Sequence, residues 1–407
     1  MTDTVMKSIL LVSGALFLSA PVFAQGEAQT APQIATEPSG YDLLVQAGQK
    51  ILSGPNGGAS NTDPNIPPEE NLRRERLAVA RNAPALALVR LALQKPVEIP
   101  EVKGPILDIH LNAKARELAR QFSQESDVRF ADGDYKGAMD SRLDTLELGT
   151  VVGHGMLISM LVGVAIESIG NKGTDKIGAH LTAAQCREVI ARLSKIEERR
   201  TSLAETLRHE QKYTLNATLE TFKPGAIDEM KPADDGTFPT AQDIAEFKAL
   251  TPEQLTKSNA RLFDAVVEAA QLPYPKSIGV ALPQDLDPFT KLSFDVLQNG
   301  RYRFSYDRTV SQTRLLSAAL ELRALKLETG NYPERFTAPV DPFAGDAKPL
   351  VYRKADGDYL LYSLGPDGKD DGGAEIQTLE TREETGIKTV SDRLQPNSTG
   401  DIVQTPF

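Results

Sequence analysis

The chain has 407 residues, a formal charge of −11 at neutral pH, one cysteine and no tryptophan. The acidic balance excludes sequence-independent nucleic-acid binding, which needs a basic surface to displace counterions. The lone thiol, Cys186, excludes an internal disulfide, and the scarcity of aromatic residues disfavours a carbohydrate site built on stacking.

The first residues, MTDTVMKSILLVSGALFLSAPVFAQ, read as a secretory signal. Lys7 supplies a positive start, Ser8 to Ala20 an apolar run, and Val22-Phe23-Ala24 a small-x-small cleavage site. The run is short for a membrane span, so cleavage after Ala24 is predicted over an uncleaved anchor, giving a periplasmic or secreted protein. Asp3 and Lys7 offset each other, so the remaining chain of about 380 residues keeps the charge of −11. From 25 to 71 the composition is that of a linker, as in "SGPNGGASNTDPNIPPEEN", which buries too little apolar surface to offset its ordering entropy and is expected to be largely disordered. The exception is "YDLLVQAGQKIL", Tyr41 to Leu52, which fits a short helix docking on the helical region after it.

From 72 to 306 apolar residues recur at helical spacing, and a helical domain is expected with no membrane span. "LRRERLAVARNAPALALVRLAL" is predicted to break near Pro84. "ADGDYKGAMDSRLDTLEL" predicts two antiparallel helices joined at Gly133-Asp134 and resembles a single tetratricopeptide hairpin, with Gly133, Tyr135 and Ala138 at the matching places; no second copy appears at the repeat period. Leu148 to Gly170 is the most apolar stretch after the signal. Its glycines and Glu167 favour a helix buried in the domain over a membrane span. Thr182 with Gln185, and Thr251 with Gln254 after Pro252, carry the spacing of capping boxes, and Val189, Ile190, Leu193 and Ile196 form one apolar face. A last long helix is expected over Arg308 to Thr329, closed by Gly330, with the strands "PLVYRK" and "DYLLYSL" after it. The fold class is therefore mainly α, with a small α+β module over 308–380, a long helix on a short antiparallel sheet. A flexible tail is expected over 381–407.

The segment from Ser317 to Gly373 resembles the globular head of the major pseudopilin of type II secretion. A helix ends in "ETGNYP" (Glu328 to Pro333), "DPF" with a following glycine (Asp341 to Gly345) opens the sheet, and two tyrosine-bearing strands lead into "SLGPDG". The resemblance implies the fold of the C-terminal module. It does not imply filament assembly, because pseudopilins begin with an uninterrupted apolar helix, whereas here the apolar run reads as cleavable and a large helical domain is expected to intervene. It also implies calcium in the loop after the strands. Ser363 and Asp367 fall on the family motif; Asp370 and Asp371 are nominated by chemistry, since a hard cation wants several oxygens and glycines let them converge. Many members of that family carry an acidic residue where this chain has Leu360, and a solvated Asp-Gly turn would use the same residue types.

No spacing of His, Cys, Ser or Gly marks a zinc, nucleophile or nucleotide site; His110, His154, His180 and His209 are scattered. His154 is expected in the core on a backbone partner, His209-Glu210 in solvent, and Cys186 buried and inert rather than activated by its helix. Paired acids such as Glu197-Glu198 and Asp234-Asp235 read as solvated faces. The function expected is that of an exported, non-enzymatic protein with a protein partner at the envelope or cell surface. A secreted helical hydrolase with an acidic site and an accessory of a type II secretion-like apparatus are the alternatives.

Overall fold

The computed structural model describes residues 37–52, 66–98, 109–220, 231–232, 240–278, 280–381, 388–391 and 394–407. The expected signal over 1–24, the Asp234-Asp235 pair and the side chain of His110 lie outside the described residues.

Helix α1 (Gly40–Lys50) begins at a reciprocal cap, Ser39 accepting from the Asp42 amide while the Asp42 carboxylate accepts from the Ser39 amide at 3.0 Å. Leu43, Leu44 and Ala47 bury against α2 (Pro68–Leu93) and α3 (Ile109–Ala131), so this helix inside the expected linker is a core element. Helix α2 does not break at Pro84. The proline and Ala80, whose carbonyl it leaves without a helical donor, are both exposed, and water can satisfy that oxygen.

Asp134 caps α4 (Tyr135–Val152) through the Gly137 amide at 2.9 Å and completes the expected hairpin with α3. The apolar stretch expected as one buried helix is instead a hairpin: α4 ends at Val152 and α5 runs from Leu157 to Asn171. The glycines set its closeness. A Cβ on Gly149 would lie 2.8 Å from the Gly163 carbonyl oxygen and 2.6 Å from Cγ of Glu167, so the two helices meet through bare backbone. Among the described residues no helix is long and apolar enough to cross a membrane.

Helices α6 (Thr174–Gly178), α7 (Ala183–Glu198), α8 (Leu203–Glu220), α9 (Ala241–Lys248), α10 (Pro252–Gln271), α11 (Tyr274–Ser277) and α12 (Pro288–Leu297) complete the helical region. Both predicted capping boxes are present, at Thr182–Gln185 and Thr251–Gln254. On α7, Val189, Leu193 and Ile196 are buried and Ile190 half-buried, as its apolar face requires.

The last helix, α13 (Arg301–Thr329), starts seven residues before the expected Arg308 and ends at the left-handed Gly330. Its early start is held by Arg303, which donates to the Ala270 carbonyl at 2.8 Å and the Leu272 carbonyl at 2.9 Å, satisfying the end of α10. One face of α13 (Leu316, Leu320, Ala324) packs into the α7 cluster, while the neighbouring face (Leu315, Ala318, Ala319, Leu322) packs on Tyr359 and Leu361 of the sheet. The helix is thus shared between two cores.

The sheet is antiparallel in the order β1 (Val351–Ala355), β2 (Asp358–Ser363), β5 (Ile402–Gln404), with Val351 opposite Tyr362 and Tyr362 opposite Val403. A second ribbon pairs β3 (Thr378–Thr381) with β4 (Lys388–Ser391). The mainly α architecture with a small α+β module is as expected from the sequence. The tail expected from 381 is corrected in part, because β5 pairs with β2 and Ser398 and Asp401 are buried.

Candidate cation-binding loop

The pieces of the C-terminal pattern meet through one carboxylate. Asp341, almost fully buried, accepts from Ser363 Oγ at 2.7 Å, the Leu364 amide at 2.8 Å and the Phe343 amide at 3.0 Å. Burial pushes its carboxyl up, and these three donors oppose that. The aspartate of "DPF" therefore anchors the serine of "SLGPDG" at the end of β2.

The four nominated residues do not share one centre. Ser363 is buried and points its hydroxyl to Asp341. Asp367 accepts from the Lys369 amide at 3.2 Å in a local turn. Asp370 accepts from Tyr362 Oη at 2.7 Å, Arg353 at 3.0 Å and the Gly372 amide at 3.0 Å, and these hold its carboxyl below the usual range. Asp371 accepts from the Gly400 amide at 3.2 Å.

The loop instead closes on Asp401, which comes from the far end of the chain. The residue is 1% exposed; one oxygen accepts from the Gly373 amide at 2.7 Å, the Asp371 amide also interacts with the carboxylate, and Oδ1 is buried without a hydrogen bond of ordinary geometry. Burial pushes the Asp401 carboxyl up; the Gly373 and Asp371 amides oppose this, and the neighbouring Asp371 and Asp370 charges add to it. Gly400, at φ +87°, lets the chain pass there, since a Cβ would meet the Glu375 carbonyl oxygen at 2.5 Å and that of Ala374 at 3.0 Å. Three carboxylates thus lie along one loop, whose Ala374 carbonyl accepts from the Asp401 amide at 2.8 Å. As placed, no group of three or more His, Cys, Asp or Glu side chains among the described residues converges closely enough to hold an ion. The carboxylates open to a cation in this loop would be those of Asp371 and Asp401, since Asp370 is engaged by Arg353.

Elsewhere the buried acids are spoken for. Arg90 bonds Asp144 at 2.7 Å and also Glu125; Arg192 bridges Asp144 at 2.6 Å and Glu147 at 3.0 Å, and Arg199 meets Glu147 at 2.5 Å. Burial alone would raise Glu125, but hydrogen bonds from Arg90 and Ser141 and the Arg90 and Arg129 charges outweigh it and lower its pKa. Glu167 forms a two-pronged pair with Arg200 at 2.7 and 2.6 Å. His154 bonds the Arg199 carbonyl through Nε2 at 2.9 Å, a backbone partner as expected, and burial lowers its pKa. Cys186 is buried and its thiol is pushed up by burial, the inert case. Glu210 corrects the solvent reading of His209-Glu210. His209 is exposed, but Glu210 is half-buried and caps α5 by accepting from the Leu157 amide at 2.9 Å.

No protein-family model matches this chain, and no curated protein and no solved structure is significantly similar to it.

Proposed function

We propose that the chain is an exported binding protein whose C-terminal module is stabilised by calcium, with its helical region presenting a surface to a protein partner at the cell envelope. The observation that carries the calcium reading is the Asp401 carboxylate, buried and set beside the like charges of Asp371 and Asp370. A buried anion among like charges is costly, and a divalent cation would relieve that repulsion. Export rests on the signal-like first 24 residues, and the pseudopilin-like character of the module rests on the ordered motifs from "ETGNYP" to "SLGPDG".

Thermal unfolding of the full chain with and without calcium tests the reading. A melting temperature that rises with millimolar calcium, and does not rise in Asp401→Asn, is the expected result. The same melting curve with and without calcium overturns it.

A further inference from the structure

A small polar cavity lies between α8, α10 and α12, partly enclosed and with room for about one water-sized group. Leu255 and Phe289 give it apolar wall, and Thr214, Asn259, Thr290 and Ser293 give it oxygen. Asn259 is 5% exposed; its Nδ2 donates to Thr214 Oγ1 at 3.1 Å, while its Oδ1 is buried with no hydrogen bond. An amide oxygen buried without a donor is costly, and this one belongs to a wall residue of a cavity. The neighbouring hydroxyls cannot supply the donor, because their protons are committed. Thr214 Oγ1 donates to the Glu210 carbonyl at 2.9 Å, and Thr290 Oγ1 donates to the Asp287 carboxylate. Both can offer a guest only lone pairs.

We propose that this cavity binds a primary ammonium group, either the ammonium ion or the head of a small alkylamine. A wall of acceptors selects a guest made of N–H donors. Water brings two protons to such a wall, whereas an alkylammonium head brings three and no lone pair of its own. Charge points the same way. Asp287 stands behind Thr290 and caps α12, accepting from the Phe289 and Thr290 amides at 2.9 and 3.1 Å. Its full negative charge outweighs the fractional positive charge of that helix start. The chain as a whole, at −11, also attracts cations. Because the cavity is only partly enclosed, a short alkyl chain can leave towards solvent. This site is separate from the C-terminal loop and does not rest on the calcium reading.

The test uses the full chain at neutral pH and constant ionic strength, titrated in a calorimeter with ammonium, methylammonium and tetramethylammonium chlorides. The first two are expected to bind, and tetramethylammonium, which has no N–H, is not. Nitrogen-15-labelled ammonium is expected to give a bound proton resonance distinct from that of free ammonium, displaced by methylammonium and kept in Asp401→Asn. Asn259→Leu is expected to weaken binding at least about tenfold, the equivalent of one lost hydrogen bond. Asn259→Asp keeps the shape and adds a charge, so it is expected to bind ammonium several-fold tighter, which a purely structural role for Asn259 would not give; it decides the matter if Asn259→Leu does not fold. No ammonium binding to wild type, a cavity that takes water only, overturns the proposal. So does tetramethylammonium binding as well as ammonium, or an affinity unchanged in the Asn259 variants.

Discussion

Replacing Glu167 by leucine removes one half of an ion pair whose two side chains are each more than nine-tenths buried. Arg200 would lose both charge-assisted bonds, at 2.7 and 2.6 Å, and its Nε already has no acceptor. A guanidinium left buried and unpaired costs about 3–5 kcal/mol. Burial alone would disfavour its charge, but the Glu167 charge and hydrogen bonds outweigh that and raise its pKa, so without the carboxylate the guanidinium stays charged and uncompensated. Arg200→Met alone strands the carboxylate and is expected to cost a similar amount. Replacing both partners leaves an apolar contact and removes the uncompensated charge, so Glu167→Leu with Arg200→Met is expected to cost under about 2 kcal/mol. Equilibrium urea unfolding followed by far-ultraviolet circular dichroism measures all three. A single-variant loss below about 1 kcal/mol, or a double variant as unstable as the sum of the singles, would refute the reasoning that this pair is a mutually dependent buried unit.

Gly163→Ala is expected to lose about 1–3 kcal/mol by overpacking, because its Cβ would collide with the backbone of Gly149 and Gly153; a urea midpoint unchanged from wild type would contradict the close approach. Asp307, buried beside Arg303, has its pKa raised to about 6, mainly by burial. With its folded pKa above its unfolded value, ionisation above pH 6 costs stability, and the cost is relieved as the pH falls from about 6 towards 4, by up to about 3 kcal/mol. The stability difference between wild type and Asp307→Asn should therefore drift across that window, and parallel urea profiles would falsify the assignment. Asp401→Asn removes a like charge beside Asp370 and Asp371, and without calcium it is expected to melt at or slightly above the wild-type temperature; a clear loss would show that the carboxylate is needed for packing alone.

The features legible in the sequence are those decided within a few residues. The capping boxes at Thr182 and Thr251, the Gly133-Asp134 join, the cap at Gly330 and the helical face of α7 all depend on neighbours within one or two turns. The misread features depend on surroundings. Pro84 breaks helices by rule, but at an exposed position the orphan carbonyl is open to water and α2 continues. Apolarity over Leu148 to Gly170 does not distinguish one buried helix from a hairpin; the paired glycines, spaced to let α4 and α5 touch, are the signal that could have done so. The strand β5 is three residues long and exists only because β2 offers it an edge, so nothing local in the sequence brings Asp401 to the candidate site. The motif "DPF" stands out by resemblance alone, and its aspartate's bonds to Ser363 and Leu364 become visible only in the fold.

The central claim is that the loop around Asp371 and Asp401 binds a hard cation, and terbium luminescence tests it most directly. The chain has no tryptophan, and Tyr362 donates to Asp370 at 2.7 Å, so a bound terbium ion would lie beside a tyrosine able to sensitise it. The account predicts saturable tyrosine-sensitised emission that calcium displaces with an affinity of about 0.1–1 mM, the range of weak extracellular sites, and that Asp401→Asn abolishes. Emission that is absent, does not saturate or survives in Asp401→Asn would contradict it.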